Sequence, residues 1–213
     1  MTKPVLIMGA TSGIGLDAVR LASERNIAVR AFARSAAKLE PMPHVEAHPG
    51  DALSPDDVRS ALEGVSAVIY ALGIRERLAM LWEEERLFSD STKVLIAAMD
   101  EANVGRLVAV TGFGAGRSKS AMSRVEAMGH RAILGRPYAD KDRQEALITA
   151  SDLDWTIARP VILTKGAFTG SYRVLREASD WRNGLISRKD VADYLLKAAT
   201  EGLDSQADVV LTR

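Results

Sequence analysis

The chain has no cysteine. Disulfides, thiolate nucleophiles and cysteine metal ligands are therefore excluded, and a reducing cytoplasm is the expected setting. Histidine is scarce: His44, His48 and His130 are the three present. The 44/48 pair falls on a predicted strand and loop, where a four-residue spacing does not bring two rings to one helical face, so no metal site is expected. There is no excess of charge, with 28 Lys+Arg against 28 Asp+Glu. A neutral chain offers no general argument for nucleic acid or a membrane surface as partner. No apolar run approaches the roughly 20 residues needed to span a bilayer. The apolar start at Val5 is short and runs straight into a glycine turn, so no signal peptide is expected.

What is present suits one α/β domain over residues 1–213, with 47% apolar residues to build its core. Its most informative stretch is Met8-Gly9-Ala10-Thr11-Ser12-Gly13-Ile14-Gly15. An apolar strand, Pro4 to Met8, precedes it, and a helical pattern from Leu16 follows. Strand, glycine turn and helix in that order make a cradle for a pyrophosphate. Gly9 permits the tight turn, Gly13 a close approach of main chain to phosphate, and Gly15 close packing of helix on sheet. The N–H groups and dipole of the helix N-terminus, at Gly13, Ile14 and Gly15, favour the anion. The Thr11 and Ser12 hydroxyls add contacts to phosphate or ribose.

Strands are predicted near 4–9, 27–33, 44–48, 67–72, 106–111, 155–159 and 207–212. Helices are predicted near 14–25, 55–63, 88–103, 139–151 and 188–201. Short Val/Ile/Leu-rich runs bounded by Gly, Pro or Asp suit strands buried on both faces. Ser54-Pro55-Asp56-Asp57 reads as a capped helix start, and Ser187 or Asp190 opens the last helix similarly. Gly64, Gly105 and Gly202 mark helix ends. The alternation implies a doubly wound parallel sheet, a Rossmann fold with helices on both faces. Two segments, 112–137 and 160–187, break the rhythm. Both follow strands, so both belong at the carboxyl edge of the sheet, and they are expected to form the substrate pocket and its cover. Glu83-Glu84-Glu85 reads as a solvated helix face. Trp82, Leu87 and Phe88 read as core or as the face of a homodimer, the chain being expected as monomer or dimer.

The second strand ends at Arg34-Ser35, where an acid would bind a ribose 2′-hydroxyl. An arginine there suits a 2′-phosphate, so NADP is expected over NAD, with Arg34, Ser35 and Lys38 as candidates.

The spacing Gly-x-x-x-Gly-x-Gly resembles the cofactor turn of the short-chain dehydrogenase/reductase superfamily. Gly50-Asp51, followed by Ala52, resembles its acidic pair, whose carboxylate meets the adenine amino group. Ala71-Leu72-Gly73 resembles its Asn-Ala-Gly segment beneath the adenine-side ribose. Asp154-Trp155-Thr156-Ile157-Ala158-Arg159-Pro160 and Ile186 to Ala192 are similar to stretches of the atypical branch that holds NAD(P)H-binding, NmrA-like and biliverdin/flavin reductase-like proteins. The likeness covers nearly the whole chain. It implies a cytoplasmic oxidoreductase, with hydride passing near Thr111 and Val161.

Many superfamily members use Ser, Tyr and Lys, the last two spaced Tyr-x-x-x-Lys. Thr111 resembles that serine by position and Lys141 that lysine. The tyrosine slot then holds Pro137, and Tyr138 lies three residues before Lys141 instead of four, a rotation of about 100° on a helix. Two readings follow. Either Tyr138 and Lys141 still act with Thr111, or hydride goes to a conjugated acceptor that takes its proton from water, and the second is favoured. The acceptor class is a flavin, quinone or small carbonyl. A non-enzymatic NADP sensor and a nucleotide-sugar epimerase or dehydratase are the alternatives. Arg117, Lys119, Arg124, Arg131, Arg136, Lys141 and Arg143 exceed nearby acids, which suggests an anionic small-molecule substrate or a solvated basic face.

Overall fold

A computed structural model describes residues 3–73, 86–122 and 138–213. The Glu83-Glu84-Glu85 face, Trp82, Pro137 and the cations Arg124, Arg131 and Arg136 lie outside the described residues.

Seven strands run parallel: β1 Val5–Met8, β2 Val29–Ala33, β3 Val45–Pro49, β4 Ala67–Tyr70, β5 Arg106–Val110, β6 Asp154–Pro160 and, last in the chain, β10 Ala207–Thr212. Among the described residues five α-helices intervene: α1 Gly13–Glu24, α2 Pro55–Leu62, α3 Leu87–Ala102, α4 over 138–149 and α5 Arg188–Glu201. With the short β8 Arg173–Leu175 at one edge, the strand order is β3-β2-β1-β4-β5-β6-β10-β8. Strand order reverses between β1 and β4, and the crevice outside their carboxyl ends is where such sheets bind ligands.

Period-two alternation distributes each strand between two cores. Val5 and Ile7 of β1 pack with Ala18, Val19 and Ala22 of α1 and Val191 and Leu195 of α5. Leu6 and Met8 face the other way, with Val58 and Leu62 of α2, Leu95 and Met99 of α3 and Ile148 of α4. Both faces of the sheet are covered, so its strands carry unbroken apolar runs. Ser54 accepts from the Asp57 N–H to cap α2, and Ser187 from the Asp190 N–H to cap α5. Gly202 ends α5 in the left-handed conformation, but α3 ends on Asn103 at φ 54°, two residues before the expected Gly105. Asn tolerates that conformation because its short polar side chain bonds locally.

Residues 160–187 depart most from expectation. They contribute β7 Ile162–Thr164 and β9 Leu185–Ser187, a separate two-stranded sheet, and β8 Arg173–Leu175, which pairs antiparallel with β10. Three-residue strands carry no readable period. Between β7 and β8 the chain packs along α5: Asp190 accepts from the Thr169 and Gly170 N–H groups at 2.9 Å, and the Tyr172 hydroxyl donates to Asp193 at 2.6 Å. That stretch is tied to a helix flank, while the two ends of the segment stay near the sheet edge.

Candidate active site

The glycine turn has the geometry of an anion cradle. Gly9 has φ 85°, and a Cβ there would stand 2.5 Å from the Ala71 carbonyl oxygen. A side chain at Gly15 would collide with the Gly9 carbonyl. Only glycine lets β1, β4 and α1 approach this closely. Gly13 has φ 57° and open space where a Cβ would be. Ser12 holds the N-cap position, yet its side chain makes no capping bond, and the first turn of α1 carries no acid. Helices α2 and α5 have both. The Gly13, Ile14 and Gly15 N–H groups have no partner among the described residues. They remain available, with the helix dipole, for a phosphate.

Neighbouring loops complete this half. The Ser35 hydroxyl donates to the Thr11 hydroxyl at 3.1 Å, tying the end of β2 to the turn. Arg34 is exposed, with no ion pair among the described residues. Asp51 is oriented by its own loop, with Oδ1 accepting from the Leu53 N–H at 3.0 Å, and Ala52 is buried beside it. Ala71, Leu72 and Gly73 continue β4 past Tyr70, with the Ala71 N–H donating to the Met8 carbonyl at 3.0 Å. Residues spread from 9 to 73 thus meet at one edge of the sheet, and they fit a dinucleotide.

The second half is a cavity of about 250 Å³ at the carboxyl ends of β5 and β6. Phe113, Met122, Val161, Ile162 and Leu163 give it apolar walls, and Thr111, Tyr138 and Asn183 supply polar side chains. Thr111, Tyr138 and Val161, chosen from sequence, are together here. The Thr111 hydroxyl donates to Glu145 Oε1 at 2.6 Å. Glu145 in turn takes two bonds from Arg159, Nε to Oε1 at 3.0 Å and Nη2 to Oε2 at 2.7 Å. Arg159 Nη1 reaches Asp208 at 2.5 Å, Arg117 holds the other Asp208 oxygen at 2.5 Å, and both guanidinium groups lie over the Trp181 ring. Burial works to raise the Asp208 carboxyl, but Arg117 and Arg159 outweigh it and hold it below the usual range. Glu145, Arg159 and Asp208 carry no role in the sequence reading. The signal for Arg159 was a charge inside β6, which is buried from Trp155 to Pro160.

Lys141 does not join the cavity. Its ammonium sits 4.2 Å from the centre of the Phe88 ring. Burial pulls its pKa down to about 8, against the attraction of Glu145 and Asp140. The Tyr138 hydroxyl rests where a Gly112 side chain would be. Burial and then the charge of Glu145 push its phenol up. The described members of the cationic run have internal contacts: Arg117 with Asp208, Lys119 with Asp142, Arg143 with Asp140 and Lys141 with Phe88. No described helix is long and apolar enough to cross a membrane.

A mostly parallel sheet in this order, with a glycine cradle at its switch point, defines a Rossmann-like nucleotide-binding fold. The chain belongs to the NAD(P)H-binding family, whose model matches residues 9–202. Among curated proteins nothing matches. Among solved structures it is similar to chuY of Escherichia coli CFT073, at 25% identity, TM-score 0.79 and coverage of 100% of this chain and 97% of that one. It is also similar to ChuY of Escherichia coli O157:H7, described as an anaerobillin reductase, at 24% identity, TM-score 0.79 and coverage of 98% and 96%. A short-chain dehydrogenase/reductase (wide type) from Veillonella parvula DSM 2008, solved in complex with NADP, matches at 16% identity, TM-score 0.82 and coverage of 100% and 95%.

Proposed function

We propose that this chain is an NADP-dependent reductase whose acceptor is a conjugated, largely apolar molecule. The observation that carries the reading is the apolar cavity beside the dinucleotide edge, whose Thr111 hydroxyl has its proton committed to Glu145. Bound NADPH would supply two electrons and a proton as hydride. Gly9 to Gly15 would hold the diphosphate, Arg34 and Ser35 the 2′-phosphate, Asp51 and Ala71 to Gly73 the adenosine half, and Val161 one wall of the nicotinamide pocket.

Reduction of a simple carbonyl calls for a proton donor at the nascent alkoxide. Here Lys141 stands over Phe88, and the Tyr138 phenol is pushed up by burial and by Glu145, which makes it a weak acid. A conjugated acceptor spreads the added charge over its ring system and takes its second proton from water. That suits a site without a Tyr–Lys relay. The likeness to a protein described as an anaerobillin reductase supports the same reading.

The test is to incubate the protein with NADPH and a panel of flavins, quinones, linear tetrapyrroles and small aldehydes, following nicotinamide absorbance. Turnover on the conjugated members and not on the aldehydes is expected. Tight NADPH binding without turnover on any acceptor would make the chain a sensor of the cofactor instead.

A further inference from the structure

We infer that Thr111 faces the cavity as a hydrogen-bond acceptor, and that it selects acceptor molecules bearing an N–H or O–H donor on the ring system to be reduced. The inference rests on the reductase reading and names the substrate class for the same cavity.

A threonine hydroxyl has one proton and two lone pairs. The proton goes to Glu145 Oε1 at 2.6 Å. The direction of that bond is fixed from behind, because Glu145 takes two bonds from Arg159 and a carboxylate so paired is acceptor-only. Arg159 is itself pinned by Asp208 and lies over Trp181, which leaves the carboxylate little freedom to turn. Thr111 cannot then offer its proton to a substrate carbonyl. No described residue donates to its oxygen. A hydroxyl on a residue that lines an apolar cavity, with lone pairs that no described residue fills, would reward a ligand N–H or O–H and repel a ligand carbonyl. The asymmetry is large, because a buried polar group left unmatched costs its full desolvation. Phe113, Met122, Val161 and Leu163 supply apolar wall area for the rest of the occupant. The chemistry that fits is a flat conjugated ring with a ring N–H or an enolic O–H. Glu145 is a positioning residue in this arrangement, acting through Thr111.

The experiment uses a matched pair, lumiflavin and its N3-methyl derivative, which differ in one N–H. Both are titrated into protein loaded with NADP⁺, where no turnover intervenes. The wild type is expected to bind lumiflavin tighter by on the order of tenfold. Thr111→Ser keeps that ratio, and Thr111→Val brings it near one. Glu145→Gln, whose carboxamide can donate back to Thr111, also lowers the ratio while the hydroxyl remains in place. A loss of packing alone would weaken both ligands equally. A wild-type ratio near one, a ratio untouched by Thr111→Val, or failure of either flavin to bind overturns the inference. The acceptor panel reports separately on the reductase reading: turnover without preference for N–H ligands sinks the inference and leaves the reading standing.

Discussion

Arg159 and Glu145 form a two-pronged ion pair behind the cavity, at 3.0 and 2.7 Å, with the guanidinium only 2% exposed. Burial opposes a charged Arg159, yet Glu145 and Asp208 keep its pKa raised. Removing one partner leaves the other charged and dry, whereas removing both leaves an apolar gap. Arg159→Met or Glu145→Leu alone is expected to cost about 3–5 kcal/mol of stability. The double variant should cost clearly less than the sum of the two. Urea unfolding of the four proteins closes the cycle. Additive losses would show that the pair is not a coupled unit.

On the proposed reading, a change at Gly13 separates cofactor binding from folding. Its φ of 57° disfavours a side chain, but nothing lies within 4 Å of the Cβ position. Gly13→Ala is therefore expected to lower stability by only about 1 kcal/mol. On the proposed reading the new methyl group would stand where the phosphate approaches, so NADP(H) affinity should fall at least tenfold. Calorimetry with both coenzyme forms measures it. Unchanged affinity would remove the turn from the binding site.

On the proposed reading, Arg34 is the residue that would choose between NADP and NAD. It is exposed at the end of β2, beside the Ser35–Thr11 bond. A charge-assisted contact to a 2′-phosphate is worth about 1.5–3 kcal/mol. Arg34→Ala should weaken NADPH by roughly ten- to a hundredfold and leave NADH affinity within about twofold. The wild-type preference should also shrink with added salt. Equal losses for both coenzymes would place Arg34 away from the 2′ position.

The sheet was legible because short apolar runs punctuated by Gly, Pro and Asp, alternating with helical patterns, leave few alternatives. The seven parallel strands and five helices stand where periodicity puts them. The glycine turn was legible because its glycines are local in sequence. What stayed hidden is non-local. Arg159 lies 14 positions from Glu145 and 49 from Asp208, so the strand run Ile157-Ala158-Arg159-Pro160 gives no sign of its partners. The same holds for Thr111, whose proton goes to a residue 34 positions away. Lys141 matched a motif by position, but a motif does not say which way a helix turns its side chain. The helix here turns it onto Phe88.

Lys141 should leave a signature in the pH dependence of stability. Burial lowers its pKa from 10.5 to about 8 in the folded chain. Between those values the unfolded chain binds more protons than the native one, so stability rises with pH across that window. Below about pH 8 the charged ammonium is a cost to the fold, partly offset by Phe88, Glu145 and Asp140. Lys141 as a residue is partly exposed, so solvent screening reduces the effect to the order of 1 kcal/mol. Lys141→Met keeps the apolar stem and removes the charge. Relative to wild type, this variant is expected to be most favoured near pH 7, and the difference should shrink as pH approaches 10.5. Urea unfolding of both proteins at pH 7 and pH 10 measures the change, and a difference independent of pH would mean that the ammonium is solvated in the native state.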